Sequence, residues 1–327
     1  MTSSGKAWRL AIGLLISTLF LFLVLRNVRW ADVFQAWRGA RPILLAAGAL
    51  LMLIGWTVAA VRWRMLLAPA PGLRVRDTFA YICIGFLANT VLPLRLGELA
   101  RATLIGRKKG LGVSRSLGSI AVERVFDLLT VIALTLLLTL LIEIPLVIQA
   151  GLASMAGLAL VALAVLLALA LNQERLHHLT GLLARVIPQH LAERIMSLAA
   201  SFASGAGALR RPGTLVAVCG LSAALWTVGG AATVVWVRAF NLEAPWVAGF
   251  LVLVAVNLGS AIPSSPGYIG VYHGAAILAL SLWVPKAPAL AYALVTHAIN
   301  MLMNVIFGAY FLAREGLSLK EIGERKD

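Results

Sequence analysis

The sequence predicts an all-α polytopic membrane protein, with about six full spans and two re-entrant broken hairpins arranged as an inverted repeat. Three observations carry this. First, 61% of the 327 residues are hydrophobic and the mean hydropathy is +0.93, whereas soluble domains are about 45–50% apolar. Second, several apolar runs reach the roughly 20 residues that a spanning helix needs. Third, two apolar runs are interrupted at matching places, Leu92-Pro-Leu-Arg-Leu-Gly97 and Ile262-Pro-Ser-Ser-Pro-Gly-Tyr-Ile-Gly270. Pro93 and Gly97 share the spacing of Pro263 and Gly267, an offset of 170 in both cases (263 − 93 and 267 − 97). Such Pro/Gly clusters cannot continue a helix. Broken backbone at membrane depth is tolerated only where it is buried in protein or lines a cavity. Matched breaks in two halves of a membrane protein point to a binding site near the midplane. The whole chain, 1–327, reads as one transmembrane domain.

Taken in order, Trp8–Leu25 is the first span. Lys6 precedes it, Arg9 sits at its start, and no small-residue cleavage site follows, so it reads as a retained helix rather than a signal peptide. A polar loop with Arg26, Arg29, Asp32, Arg38 and Arg41 leads to the second span, Ile43–Val61. Arg62-Trp-Arg-Met65 and a turn ending at Arg74 and Arg76 then concentrate arginine, which marks a cytoplasmic loop. Thr78–Leu92 enters, breaks at Pro93, and returns through Gly97–Ile105 to the basic Gly106-Arg-Lys-Lys-Gly110. Leu117–Ile142 is the next span, Glu143-Ile-Pro145 a tight turn, and Leu146–Leu171 a span without charge. Asn172–Arg211 is the longest polar region. Its leucines and isoleucines recur at helical spacing, which suits two amphipathic helices on the cytoplasmic surface or a small soluble helical hairpin. Thr214–Val237 spans again, Asn241-Leu-Glu-Ala-Pro245 turns outside, Val247–Trp283 forms the second broken pair, and Ala289–Ala313 is the last span.

Tracing sides puts both termini in the cytoplasm. Span, broken pair, span occurs at 43–142 and again at 214–313, dipping from opposite faces. The loop 26–41, with four arginines and one aspartate, falls outside and runs against the positive-inside tendency.

The net charge of +15 sits mostly at the ends of apolar segments, so it reads as orientation and headgroup contact rather than nucleic-acid binding. Cys83 and Cys219 lie far apart in apolar segments. No CxxC or Cys/His cluster accompanies them, so buried inert thiols are expected, with no metal site and no cofactor. No GxxxxGK[ST] occurs, so transport would draw on a gradient, a lipid sink or a partner.

Three constellations could carry chemistry. Glu123, Arg124 and Asp127 share one helix at membrane depth, where a charge costs at least about 2.5–3.5 kcal/mol and is usually paired. They suit a structural ion pair, with Arg95 or Arg101 as further partners, or a site for a charged headgroup or a proton. Arg95, Glu98 and Arg101 surround the first break. Arginine matches phosphate bidentately, and a helix start after a break offers free N–H groups to an anion; the alternative is snorkelling to the surface. His297, Asn300 and Asn304 fall on one helical face, and His297 lies 170 beyond Asp127. They line a cavity or bond between helices. In the second break, Pro263, Ser264, Ser265, Pro266, Gly267 and Tyr268 form a hairpin and gate. No GxSxG or SxxK surrounds the serines, which argues against a nucleophile. Tyr272 and His273 line the same site or sit near the outer interface.

The ordered set Leu96-Gly-Glu-Leu-Ala-Arg101, Val122-Glu-Arg-Val-Phe-Asp127 and Ile262-Pro-Ser-Ser-Pro-Gly-Tyr-Ile-Gly-Val271 resembles the flippase-like family that includes the transmembrane region of lysylphosphatidylglycerol synthases. The resemblance covers essentially the whole chain. It implies a bacterial inner-membrane protein that moves a lipid between leaflets. In those synthases a separate soluble domain makes the aminoacyl lipid, and none is seen up to Asp327, so synthase activity is not expected of this sequence. At His273 the chain departs from the acidic residue of many relatives, so no outer charge is implied there.

The function expected is therefore a flippase for a phosphate-bearing lipid, aminoacyl- or polyprenyl-linked. Arg95, Arg101 and Arg124 would receive the headgroup, with Glu98, Glu123 and Asp127 balancing charge. The alternatives are an intramembrane enzyme acting on a lipid headgroup, with Glu123 or His297 as base, and a scaffold for a cell-envelope enzyme working through 172–211. A membrane phospholipid or lipid-linked substrate is the expected partner.

Overall fold

A computed structural model describes residues 28–67, 70–92, 96–144, 146–151, 207–261 and 265–317, with scattered positions within 15–25 and 153–157. Most of the spans at 8–25 and 146–171 and of the insert at 172–211 lie outside the described residues, as do Pro93, Arg95, Pro263 and Ser264. Among the described residues the chain is helical and no strand occurs.

Nine α-helices follow one another among the described residues. They are α1 (Trp30–Arg38), α2 (Pro42–Leu66), α3 (Val75–Val91), α4 (Gly97–Lys108), α5 (Val113–Thr139), α6 (Pro212–Ala239), α7 (Trp246–Ser260), α8 (Val271–Leu280) and α9 (Lys286–Arg314). Helices α2 and α6 each open with a proline in the first turn, where its missing N–H costs nothing. Helix α3 is started by Asp77, whose Oδ2 accepts the Arg74 backbone N–H at 2.9 Å.

Helices α2, α6 and α9, with 25, 28 and 29 residues, are long and apolar enough to cross a membrane. At 1.5 Å per residue, 25 residues reach about 38 Å, more than the roughly 30 Å of hydrocarbon. Only 28%, 22% and 39% of their most apolar windows are buried, so most of that surface faces outward, as a lipid solvent requires. Helix α5 has 27 residues but carries Glu123, Arg124 and Asp127. Its C-terminal end and the turn after it expose Leu136, Leu137, Leu140 and Leu141.

Helices α2 and α6 make the most extensive pairing, and α9 lies along α3. Helices α3 and α4 pack on each other across the first break, and α7 and α8 across the second. Gly97 is required at the first fold. A methyl there would run into the backbone oxygen of Gly85 and, at 2.6 Å, the carboxamide of Asn89. Gly267 suits the second, where φ is +69°.

Two expectations are corrected. The second helix does not end at Val61: it runs to Leu66, so Arg62 is a fully buried helical residue and not a loop charge. It stays helical because carboxylates on α5 meet it. The polar loop 26–41 contains α1, which buries Val33 and exposes Trp30, Phe34 and Trp37. Those aromatics, at i, i+4 and i+7, suit a membrane–water interface. A smaller correction concerns the thiols: Cys83 is buried but Cys219 is exposed on α6.

Candidate functional site

The deepest polar feature is an ion-pair cluster joining α2, α4 and α5. Glu123 is 2% exposed. Its Oε1 accepts from Arg62 Nη2 at 3.0 Å and its Oε2 from Arg101 Nη2 at 2.7 Å. Arg62 Nη1 also donates to Asp127 Oδ1 at 2.7 Å and to Ser222 Oγ at 2.9 Å on α6. Arg124 reaches Asp127 Oδ2 at 3.3 Å and Glu123 Oε1 at 3.9 Å, with its side chain 49% exposed. Trp226 Nε1 points at Asp127 Oδ1, 3.4 Å away.

This arrangement follows from helix geometry. Residues three and four apart share a face, so Glu123, Arg124 and Asp127 present two carboxylates toward α2 and one guanidinium outward. Arg101 lies one turn into α4, so the first break places it beside Glu123. Its guanidinium also stacks over the Trp63 ring at 4.7 Å, and Trp63 Nε1 donates to Ser119 Oγ at 3.0 Å. Three arginines meet two carboxylates, leaving one positive charge, and Arg124 is the exposed member. Buried ion pairs persist only when geometry and extra hydrogen bonds offset desolvation, and every carboxylate oxygen here has a partner.

The cluster forms one end of a cavity of about 680 Å³ that reaches both breaks. Glu98 lines the charged end, within electrostatic reach of Arg124. Aromatic walls come from Trp56, Phe86, Trp226 and Trp236. Among the described lining residues, Asn89, Thr90, Asn257, Ser260, Asn300 and Asn304 are neutral and polar. The two breaks approach each other at Thr90. Thr90, at the end of α3, accepts from Asn304 Nδ2 at 3.3 Å, and its backbone oxygen lies 3.7 Å from where a Gly267 side chain would begin.

The second break is held by a neutral relay. Gly270 N–H donates to His273 Nδ1 at 3.3 Å. A neutral His273 then carries its proton on Nε2, which faces His297 Nδ1 at 3.2 Å. His297 in turn donates from Nε2 to the Gly267 carbonyl at 2.8 Å. One consistent pair of tautomers satisfies all three bonds. Tyr272 stacks on His297 at 4.4 Å and its hydroxyl meets Thr296 Oγ1 at 3.3 Å.

Of the residues singled out from the sequence, the structure brings together Arg101, Glu123, Arg124 and Asp127 in one cluster, with Glu98 beside them. Gly267, Tyr268, His297, Asn300 and Asn304 line the same cavity. Ser265 and Pro266 belong to the second break without lining it. Arg62 was read as a loop charge, yet it is the cluster's central cation. No local signal marks it, since its carboxylates are 61 and 65 residues away. His273 was left open and proves to be the link between loop and α9.

Comparison with known proteins agrees with this architecture. Residues 10–308 match the family model described as the lysylphosphatidylglycerol synthase TM region. The chain is 26% identical over 340 residues to a protein of Haloferax volcanii named glycosyltransferase AglD, covering 94% of this chain and 54% of that protein. It thus spans about half the length of that curated relative. With the family model matching nearly the whole chain, this membrane-embedded protein belongs to the lysylphosphatidylglycerol synthase transmembrane-region family.

Proposed function

We propose that the chain moves a phosphate-bearing lipid between membrane leaflets, as a single transmembrane domain with six spans and two re-entrant hairpins in an inverted repeat. The observation that carries this reading is the cavity: it joins two broken helical pairs and has a buried arginine cluster at one end with Arg124 exposed to it. Arginine is suited to a lipid phosphate, and a mixed polar and aromatic cavity between repeats is where transporters of this kind hold their substrate. Trp56 and Trp226, both lining the cavity, stand 170 apart like the breaks (226 − 56), which supports the repeat. Both termini would face the cytoplasm of a bacterial inner membrane.

The test is leaflet exchange of labelled phospholipids and polyprenyl-linked lipids in liposomes. Arg124→Gln should slow exchange at least about tenfold, the equivalent of 1.4 kcal/mol, while the protein remains inserted. Arg124 is the informative site because it is the least buried member of the cluster. Unchanged exchange in that variant would sink the site assignment.

The glycosyltransferase name of the archaeal relative favours a second reading, in which the same cavity holds a lipid headgroup for chemistry rather than for movement. There Glu98 would be the nearest candidate base, since Glu123 and Asp127 are occupied by arginines. Product formation by the purified chain from a lipid acceptor and an activated sugar would separate the two readings.

A further inference from the structure

We infer that His273 and His297 form a proton-binding site whose occupation releases the second break from α9. Such a site goes beyond lipid movement and is independent of what the cavity carries.

The relay runs from the Gly270 N–H through His273 and His297 to the Gly267 carbonyl, over 3.3, 3.2 and 2.8 Å. Both ends are backbone groups whose roles cannot change, since an amide N–H only donates and a carbonyl only accepts. Between them, each neutral imidazole accepts on Nδ1 and donates from Nε2. Two rings with one N–H each fill the chain, and a third ring proton has no place in it. On His297 the extra proton would sit on Nδ1 and face the His273 Nε2–H. Moving the His273 proton to Nδ1 relieves that contact but sets it against the Gly270 N–H. Either way one junction becomes donor against donor, and the relay is cut.

The surroundings offer the proton no compensation. Both rings are buried, with His273 5% and His297 6% exposed. Among the described residues no carboxylate forms an ion pair with either ring: Glu123 and Asp127 are bonded to arginines, and Glu98 lies within electrostatic reach of Arg124. Helix α7 carries no charged residue. Helix α3 has its charges, Arg76 and Asp77, in its first turn, and near its end the neutral Thr90 approaches Gly267. Helix α9 has Lys286 and Arg314 at its two ends. The titratable neighbours are tyrosines. Tyr272 stacks on His297 at 4.4 Å and meets His273 edge-on at 6.0 Å, Tyr292 lies within electrostatic reach of Tyr272, and Tyr268 follows Gly267 in the loop. An imidazolium held there would be a buried charge without a counter-charge, which is strongly unfavourable. The ring therefore takes its proton when it reaches water, and proton binding and release of the break are one linked equilibrium. Gly267 and Tyr268 line the cavity, so release moves part of its wall.

The test is hydrogen exchange, read by mass spectrometry on the full chain in nanodiscs, with the intrinsic pH dependence of exchange divided out. The two conditions are about pH 7.5 and about pH 5.5, either side of the roughly 6.5 at which imidazole titrates in water. One proton bound only by the released form shifts the opening equilibrium about tenfold over that interval. Peptides covering 265–274 should therefore lose protection at least about tenfold at the lower pH. Peptides covering Gly97, whose N–H is held by the Asn89 carboxamide at 2.8 Å, should not change. The double variant His273→Asn, His297→Gln replaces the rings with carboxamides that do not titrate, and its protection should be the same at both pH values. Wild-type protection at 265–274 that ignores pH, or that falls equally around Gly97, would overturn the inference. A pH response that survives in the double variant would do the same. If that variant does not fold, the wild-type comparison of the two breaks decides alone. None of these outcomes draws on leaflet exchange, so the lipid reading stands or fails separately.

Discussion

The two breaks solve one problem with opposite chemistry. Each must hold a non-helical turn inside an apolar protein, where unpaired backbone is costly. The first leads into an ionic cluster: Arg101, one turn into α4, is fastened to Glu123 at 2.7 Å. The second is closed by uncharged rings, with His297 donating to the Gly267 carbonyl at 2.8 Å and His273 joining it to the loop. Asp127 and His297 are separated in sequence by the same 170 residues as the breaks. Under the proposed reading the arginine end is the one that takes an anion. The first break leads to a cluster with an exposed arginine, Arg124, whereas the second spends its polar atoms on its own backbone.

Removing the centre of the ionic end should have the largest effect. Glu123 meets all three arginines, so Glu123→Gln leaves three cations facing Asp127 alone. Removing one partner from a buried ion-pair network costs about 3–5 kcal/mol. Thermal unfolding followed by size-exclusion should show a heavily destabilised protein. Adding Arg101→Gln should recover part of the loss by removing the cation whose carboxylate is gone, while Arg62 keeps Asp127. If the double variant is no better than the sum of the singles, the cluster is not the network described. For the same reason, loss of transport in Glu123→Gln would not identify a substrate contact.

The neutral end should respond less. His297→Leu removes two neutral hydrogen bonds, to the Gly267 carbonyl and from His273, each worth about 0.5–1.5 kcal/mol net. The loss should be smaller than that of Glu123→Gln and insensitive to salt. Equal or greater destabilisation would reverse the ranking of the two ends.

Much of this contrast was legible in the sequence, for a physical reason. Breaks are local events, written in Pro93, Gly97, Pro266 and Gly267, and the pairing of Arg124 with Asp127 follows from helical spacing. Glu123 with Arg101 was among the anticipated pairs. What was not legible depends on tertiary contact. Arg62 sits where an apolar run meets arginines, and such residues ordinarily flank a span; only the carboxylates of α5 make it a buried cation. Helix α1 had a signal, Trp30, Phe34 and Trp37 on one face beside Val33, but its arginines made it read as loop. His273 gave no sign of its tautomer, because that is set by the Gly270 N–H and by a ring 24 residues away.

The smallest expected effect lies at Gly267, and it sharpens the contrast between the two glycines. Gly267 has φ +69°, and a methyl added there would meet Met301 Cε at 3.0 Å and little else within 3.7 Å. Met301 is the end of a flexible side chain and can yield, so Gly267→Ala should cost only the left-handed backbone penalty, roughly 1–2 kcal/mol. Gly97→Ala meets backbone instead. The Gly85 oxygen cannot move without separating α3 from α4, so the cost should exceed that of Gly267→Ala, nearer the upper part of the 1–3 kcal/mol usual for overpacking. Unfolding temperatures of the two variants provide the comparison. If Gly267→Ala proves the more damaging, the second break depends on its backbone shape more than on its histidines, and the neutral relay would follow from that shape rather than hold it.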